Sequence, residues 1–378
     1  MICSGRNVAT GEFVTVEFDN LIRKVTPGDP GNSVAADLWI APGFIDIQVN
    51  GFAGVDFNVP ETSQSGIQRA LDLILSTGVT RCLPTVITGP PEDMLTCLRN
   101  LAQARGELPL GHAIAGFHIE GPHIASEDGP RGAHPLDSVR PPNIDEYRRW
   151  QEATAGAISL ITLSPHWPGA SEYIQTITRD GVTASIGHTG ATAEQIAAAV
   201  DSGATLSTHI GNAGHTDLPK HPNYIWDQLA EDRLSASFIV DGIHLGAAFL
   251  RAAVRAKTVS RAVLVTDASA PAGAAPGRYR LGRQEADLTD DGRVVLTGTN
   301  RLAGSALKMN DAVSNVMRMA GITLREAIEM ATVNPARVIH LEGRSNGLVV
   351  GEHADLVLFR SAPAIKVDSV YLDGKRTA

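Results

Sequence analysis

Four segments of this 378-residue chain share one pattern, a short apolar run that ends at a single ionisable side chain. The side chains are Glu120 in GFHIEGP, His188 in SIGHTGAT, His209 in THIGNAG and Asp267 in LVTDASAP. Such runs form buried parallel strands, and a buried ionisable group is costly without a partner. A divalent metal can pair with Glu120, His188 and His209 together, which leaves Asp267 free to move protons.

Three of the four residues also have a plain structural explanation. Either histidine alone is more often a hydrogen-bonded core residue than a metal ligand, and Asp267 fits a helix N-cap. Glu120, in contrast, has no surface to reach if residues 113–119 form a strand. Glu, His, His and Asp in this order on successive βα units suit a metal-dependent hydrolase on a (β/α)8 barrel, whose active site gathers at the carboxyl ends of the strands. Taken together, the four residues favour that interpretation.

Strand-like apolar runs alternate with helical patterns over most of the chain. Examples are the runs at 81–87 and 113–120 and the helical patterns at 66–76 and 91–105. This alternation predicts parallel βα units, and about eight strands before residue 270 fit a closed barrel. We therefore predict an α/β fold, a (β/α)8 TIM-like barrel over residues 41–345.

Both ends of the chain have the character of β-strands, as in residues 12–18 and 351–359. We predict that residues 1–40 and 346–378 together build one small β-sandwich domain beside the barrel.

The barrel pattern breaks after Asp267. Residues 278–296 predict a hairpin, and helical patterns follow at 308–319 and 324–332. Asn334-Pro335 is expected to end the second of these helices.

Composition excludes several partners and compartments. The formal net charge of -9 disfavours nucleic acid and anionic membranes as main partners. Cys3, Cys82 and Cys97 are too few and too scattered for a disulfide framework or a cysteine-based zinc site, and they suit a reducing compartment. The first residues lack the pattern of a signal peptide, and no run approaches the ~20 apolar residues of a membrane span. We therefore expect a cytoplasmic protein.

With these residues placed, the chain resembles the amidohydrolase superfamily and, within it, the family of N-acetylglucosamine-6-phosphate deacetylases. The resemblance runs from about Ala41 to the end and rests on APGFIDIQVNG, GFHIEGP, RGAHP, SIGHTGAT, THIGNA, VDGIHL, LVTDASAPAG and LAGSALKM. It implies a (β/α)8 barrel, a β-sandwich from the two termini, one divalent metal per subunit and a homodimer. It also implies hydrolysis of the N-acetyl group of N-acetylglucosamine 6-phosphate, a small amino-sugar phosphate.

The resemblance also implies roles for individual positions. Glu120, His188 and His209 match the metal ligands, and Asp267 matches the catalytic aspartate. The other matched positions form the substrate site: Ala133, His134 near the acyl carbonyl, Asn212 and Ala213 at the sugar, Lys220 and His244 at the phosphate (partly from the neighbouring subunit), and Leu302, Ala303 and Gly304 over the sugar.

Two positions depart from the family pattern. Many amidohydrolases have His-x-His on the first barrel strand, where this chain has Gln48-Val49-Asn50. Amides are poor metal ligands beside imidazole, which favours one tightly held metal, with zinc as first choice and iron(II) or another divalent ion as alternatives. The usual phosphate-binding arginine is Lys220 here, which keeps the charge but loses the bidentate geometry.

The expected reaction needs no covalent intermediate. Asp267 accepts a proton from the attacking water and passes it to the leaving amine, while His134 stabilises the oxyanion. One alternative is deacylation of a related substrate, namely N-acetylgalactosamine 6-phosphate, an unphosphorylated N-acetyl amino sugar or an N-acyl amino acid. Opening of a cyclic amide is another, although the missing His-x-His counts against it. A non-catalytic barrel is the third, and the presence of all four residues counts against that.

Overall fold

The computed structural model describes residues 1–29, 37–345 and 347–378. Its strands, numbered along the chain, are β1 (Ile2–Asn7), β2 (Phe13–Phe18), β3 (Ile22–Pro27), β4 (Trp39–Pro42), β5 (Phe44–Val49), β6 (Gly51–Phe52), β7 (Val55–Asp56), β8 (Val79–Ile87), β9 (Phe117–Glu120), β10 (Ile158–Leu163), β11 (Thr183–Ile186), β12 (Ala204–Ser207), β13 (Ser235–Ile239), β14 (Ala262–Val265), β15 (Gly277–Leu281), β16 (Gln284–Leu288), β17 (Val294–Leu296), β18 (Leu356–Arg360), β19 (Lys366–Leu372) and β20 (Lys375–Arg376). Its α-helices are α1 (Gln64–Leu75), α2 (Pro91–Glu107), α3 (Ile144–Ala153), α4 (Ala170–Arg179), α5 (Ala193–Asp201), α6 (Tyr224–Ala230), α7 (Ala247–Lys257), α8 (Met309–Ala320), α9 (Leu324–Ala331) and α10 (Val333–Val338).

Strands β5 and β8 to β14 form one parallel sheet, and their order in the sheet follows their order in the chain. The sheet closes where the backbone N–H of Asp267 donates to the carbonyl oxygen of Gln48 at 2.9 Å and Val49 forms a parallel bridge with Ala268. Helices connect the successive strands, as the alternation in the sequence predicts. The predicted (β/α)8 barrel is therefore confirmed, with eight strands before residue 270.

The sequence explains why these segments form strands and helices. All four residues of β14 are buried, because one face points into the barrel and the other is covered by helices. Helix α1 instead buries one face, with Ile67, Leu71 and Ile74 at helical spacing. Its N-cap is Ser63, whose hydroxyl accepts from Gly66 N at 3.1 Å. No helix in the described part of the chain is long and apolar enough to cross a membrane.

The two ends of the chain meet in a second sheet of seven strands, ordered β20-β19-β18-β4-β1-β2-β3. This sheet curls around its own apolar core, which includes Val16, Ile40 and Leu356. The predicted small β domain from both termini is confirmed. Its predicted boundaries at residues 40/41 and 345/346 stay a prediction, and residues 30–36 and 346 lie outside the described residues.

The region after the last barrel strand differs in detail from the sequence prediction. The predicted hairpin is a three-stranded antiparallel sheet, β15-β16-β17. The second predicted helix, α9, ends at Ala331, but Asn334-Pro335 does not end it, because a further helix, α10, starts at Val333 and contains both residues. Pro335 lies in the first turn of this helix, where a backbone N–H would have no intrahelical acceptor, so proline is tolerated there.

A buried ion network fastens the terminal sheet to the barrel. The Asp355 carboxylate, directly before β18, is fully buried and accepts from Arg81 Nε of barrel strand β8 at 2.7 Å. Arg344 contacts the same carboxylate, and the backbone N–H of Asp373 donates to its other oxygen at 2.7 Å. Burial raises the pKa of Asp355, but the two guanidinium groups outweigh that effect and lower it. The carboxylate therefore stays ionised and joins the two parts of the fold.

We expect Asp355→Asn to lower the free energy of unfolding by about 3 to 5 kcal/mol, because it leaves two arginines without their buried counter-charge. Urea denaturation followed by circular dichroism measures the change. Asp19→Asn is the matched control, since Asp19 pairs with Arg23 on the surface and exposed pairs contribute little. Equal unfolding midpoints for the two variants would contradict the role given to Asp355.

Candidate active site

The side chains that the sequence singles out converge at the carboxyl ends of the barrel strands. Glu120 is the last residue of β9, and His188, His209 and Asp267 each lie two residues beyond β11, β12 and β14. All four are buried. The last three have positive φ angles of 50°, 28° and 49°, a conformation that non-glycine residues rarely adopt. Such strain persists where the surrounding structure enforces it and is concentrated at functional sites.

One oxygen of Glu120 is the meeting point of the site. Its Oε1 lies 3.1 Å from His188 Nε2 and 2.8 Å from His209 Nε2, and it accepts from Gln48 Nε2 at 2.8 Å. Burial raises the pKa of Glu120, but hydrogen bonds and charge from the two histidines outweigh it and hold the pKa well below its usual value. The carboxylate is therefore ionised although it is only 3% exposed.

This arrangement fits a divalent metal. A carboxylate oxygen and imidazole nitrogens are ligands that zinc and similar ions accept, and His188 Nδ1 is held by Pro130 O at 3.0 Å, as the second nitrogen of a metal-binding histidine usually is. Possible ligand atoms of Glu120, His134 and His188 all lie within 4.8 Å of one another. That grouping contains His134 in place of His209. We favour His209, because its Nε2 is directly against Glu120 Oε1.

Asp267 is held by the two amides of the first barrel strand. Asn50 Nδ2 donates to Asp267 Oδ1 at 2.6 Å and Gln48 Nε2 donates to the same oxygen at 3.2 Å. No hydrogen bond to Oδ2 is present among the described residues. Burial raises the pKa of Asp267 to about 6, and the negative charge of Glu120 adds to the rise. A carboxyl group with a pKa near neutrality can both accept and release a proton.

His134 reaches the site from the loop after β9. Its Nδ1 lies 2.8 Å from the Thr88 hydroxyl, and its ring packs edge-on against that of His188 with centroids 4.3 Å apart. Burial lowers the pKa of His134 to about 3, so the imidazole is neutral. Gly121 makes room for this contact, because a Cβ atom there would lie 2.1 Å from Thr88 Oγ1.

These groups face a cavity of about 480 Å³. Most of the sequence-predicted site residues line it, namely Asn50, Glu120, Ala133, His134, His188, His209, Asn212, Ala213, His244, Asp267, Leu302 and Gly304. Gln48 and Ala303 are buried and do not line the cavity. Lys220 is exposed on the segment before α6 and is also absent from the lining.

The family model that matches this chain is that of the amidohydrolase family, and it covers residues 39–377. The chain belongs to the amidohydrolase family. A Bos taurus N-acetylglucosamine-6-phosphate deacetylase is 36% identical over 345 residues, which is 89% of this chain and 82% of the relative. The Bacillus subtilis (strain 168) protein of the same name is 30% identical over 329 residues, 86% of this chain and 82% of the relative.

Solved structures resemble this amidohydrolase over its whole length. An aspartate-to-alanine mutant of N-acetyl-D-glucosamine-6-phosphate deacetylase from Mycobacterium smegmatis, in complex with N-acetyl-D-glucosamine-6-phosphate, superimposes with a TM-score of 0.89 at 30% identity. The match covers 100% of this chain and 99% of that one. The Pasteurella multocida N-acetylglucosamine-6-phosphate deacetylase gives a TM-score of 0.87 at 26% identity, with the same coverage.

Sequence reasoning missed several residues of the amidohydrolase cavity. Asp128 and Arg301 line its mouth, and Ile87, Thr216, Ile239 and Leu281 also contribute to the wall. Arg301 directly precedes the segment LAGSALKM, and this position beside a matched motif is the one signal that could have identified it. Ile87 and Ile239 lie in ordinary apolar runs and Leu281 lies in the predicted hairpin, so their sequence context contains no such signal.

We expect His188→Ala and His209→Ala to lose the bound metal, because each leaves an open coordination position beside an unpaired Glu120. Elemental analysis of the proteins, purified after incubation with zinc, measures the occupancy. His353→Ala is the control, since His353 is half-exposed in the terminal sheet region and pairs with Asp373. His134→Ala should retain the metal. A full equivalent of metal in His209→Ala, with loss from His134→Ala, would replace His209 by His134 in the ligand set.

Proposed function

We propose that this chain is a metal-dependent deacetylase that hydrolyses the N-acetyl group of N-acetylglucosamine 6-phosphate to glucosamine 6-phosphate and acetate, in amino-sugar catabolism. The observation that carries the proposal is the convergence of Glu120, His188, His209 and Asp267 on one cavity in a chain similar over most of its length to deacetylases of that substrate. Its reaction class is hydrolysis of a linear amide.

Glu120, His188 and His209 would hold one divalent ion, with zinc favoured by the mixed carboxylate and imidazole donors. Such an ion, when bound, acts as a Lewis acid and lowers the pKa of a water molecule toward neutrality. The first-strand amides Gln48 and Asn50 donate hydrogen bonds to the two carboxylates, and amides are weak ligands beside imidazole. They support a single metal rather than two.

Asp267 is the proton carrier in this proposal. Because both amides donate to Oδ1, we assign the proton transfer to Oδ2. It accepts the proton of the attacking water and gives it to the nitrogen of the leaving amine as the C–N bond breaks. The nitrogen then leaves as a neutral amine rather than as an amide anion.

His134 stabilises the oxygen of the amide carbonyl as charge develops on it. The imidazole is neutral, and when the Thr88 hydroxyl donates to Nδ1 the proton of the ring is on Nε2. This N–H is then a donor for the oxyanion. The contact with Thr88 holds the orientation of the ring.

We also propose a cytoplasmic homodimer. The three cysteines are buried as free thiols, which suits a reducing compartment. Lys220 is exposed and does not line the cavity of its own subunit, so it is available to the cavity of a neighbouring copy. Trp226, on the following helix α6, is 50% exposed and offers apolar surface for that contact.

A substrate panel tests the function directly. We expect acetate release from N-acetylglucosamine 6-phosphate to have the highest kcat/KM, compared with its galactosamine epimer, the unphosphorylated sugars and an N-acyl amino acid. The zinc-loaded protein is used, and acetate is measured by an enzyme-coupled assay. A higher kcat/KM for the N-acyl amino acid, or no acetate from any sugar, would refute the proposal.

We expect Asp267→Asn to keep the metal and the fold and to lower kcat by about 10² to 10⁴, the usual contribution of a general base. An amide of the same shape cannot accept the proton of the water. Metal content and circular dichroism of the variant are the controls. Wild-type kcat at full metal occupancy would show that another group moves the proton.

A further inference from the structure

Arg301 is the only lysine or arginine among the described residues that line the active-site cavity. It lies between β17 and the loop of Leu302 and Gly304, which also face the cavity. The other ionisable groups of the lining are carboxylates and imidazoles. A phosphorylated sugar brings a charge of about −1.5 to −2 at neutral pH, so a permanent cation in this wall bears directly on which sugars bind.

Two contacts hold the guanidinium of Arg301 across the mouth of the cavity. Its Nη1 donates to Gly132 O at 3.0 Å and its Nη2 donates to Asp128 Oδ1 at 2.5 Å. Both acceptors belong to residues of the opposite rim, which comes from the loop after β9. An arginine has five N–H donors, so these two bonds leave three for a ligand. The side chain is 36% exposed and therefore accessible from the cavity mouth.

Asp128 does not fully neutralise the positive charge of Arg301. Asp128 Oδ1 also accepts from Arg131 Nη2 at 3.1 Å, so two arginines share one carboxylate. The Asp128 side chain is 71% exposed, and water weakens the field of an exposed charge. Asp128 therefore neutralises the guanidinium of Arg301 only in part.

Within one subunit, neither Lys220 nor His244 provides a permanent cation to this cavity. Lys220 is exposed and absent from the lining. His244 does line the cavity, and its Nδ1 is bound to Asp241 Oδ2 at 2.6 Å, with side chains 8% and 9% exposed. An imidazole held in this way presents one remaining nitrogen, which is little for a dianionic group.

We propose that Arg301 binds the phosphate of the substrate and makes this enzyme select phosphorylated over neutral N-acetyl amino sugars. This role rests on the deacetylase function proposed above. The planar guanidinium can present two parallel N–H groups to phosphate oxygens, and its existing bonds to Gly132 and Asp128 fix its orientation before the substrate arrives. Arg301 contributes to binding and specificity and takes no part in proton transfer.

Kinetics on paired substrates test the role. Arg301→Ala should lower kcat/KM for N-acetylglucosamine 6-phosphate by about 10- to 100-fold, the usual effect of losing a charge-assisted hydrogen bond. The value for unphosphorylated N-acetylglucosamine should change little, because the lost contact is to a group that substrate lacks. Arg301→Lys should fall between wild type and Arg301→Ala, since it keeps the charge and loses the fork.

Calorimetry provides a readout that does not depend on turnover. Titration of glucosamine 6-phosphate and of glucosamine into wild type and Arg301→Ala should show weaker binding of the phosphorylated sugar only. Arg293→Ala is the matched control, because Arg293 is an exposed arginine of the same region, paired with Asp291 and absent from the cavity lining. It removes the same charge and should leave both sugars unaffected.

Asp128→Asn separates phosphate binding from a purely structural bridge. If Arg301 only holds the opposite rim through Asp128, this variant should reproduce the loss seen with Arg301→Ala for both sugars. If Arg301 binds phosphate, Asp128→Asn keeps an oxygen that can accept from Arg301 and removes a competing negative charge, so it should weaken glucosamine 6-phosphate binding much less than Arg301→Ala does. Equal losses for phosphorylated and neutral sugars in Arg301→Ala, or the same losses in Asp128→Asn, would overturn the proposal. Failure of the wild type to release acetate from any sugar would instead refute the deacetylase function.

Discussion

Glu120 brings a negative charge into a part of the barrel that water scarcely reaches, since the residue is 3% exposed. Such a charge is stable only when several donors converge on it. Here the polar partners come from three other strands or strand ends: Gln48 donates to Oε1, and the Nε2 atoms of His188 and His209 lie within hydrogen-bond distance of it. The closed barrel is what brings these four segments together, because parallel strands end at the same rim. The buried charge of Glu120 and the closed barrel therefore depend on each other.

The two first-strand amides connect this charge to the chemistry. Gln48 donates to Glu120 and to Asp267, and Asn50 donates to Asp267 alone. Neutral donors between two buried carboxylates reduce their repulsion without providing strong metal ligands. In the proposed mechanism, Glu120 is the carboxylate for an ion, and Asp267, with a pKa raised by burial to about 6, is the carboxyl group for proton transfer. Environment rather than residue type separates the two roles.

The mouth of the cavity is built differently from its floor. The floor consists of buried groups on strand ends, whereas the rim is formed by loops that follow β9, β12 and β17. At the rim, Arg301 contacts Asp128 and Gly132 across the opening. Loops tolerate change better than strands, so the floor can retain the amide-cleaving chemistry while the rim alters the choice of sugar.

The sequence by itself determined the barrel, the terminal sheet and the four central residues, because each depends on local signals. Apolar runs that end at Glu120, His188, His209 and Asp267 specify buried strand ends, and parallel strands have only one rim at which these ends can meet. Only the tertiary structure decided which side chains contact one another. Side-chain direction and the path of the loops decide three features of the site. Both amides donate to one oxygen of Asp267, Lys220 lies outside the cavity of its own subunit, and Arg301 lines that cavity. Those are fixed by contacts between segments far apart in the chain, which no local pattern records.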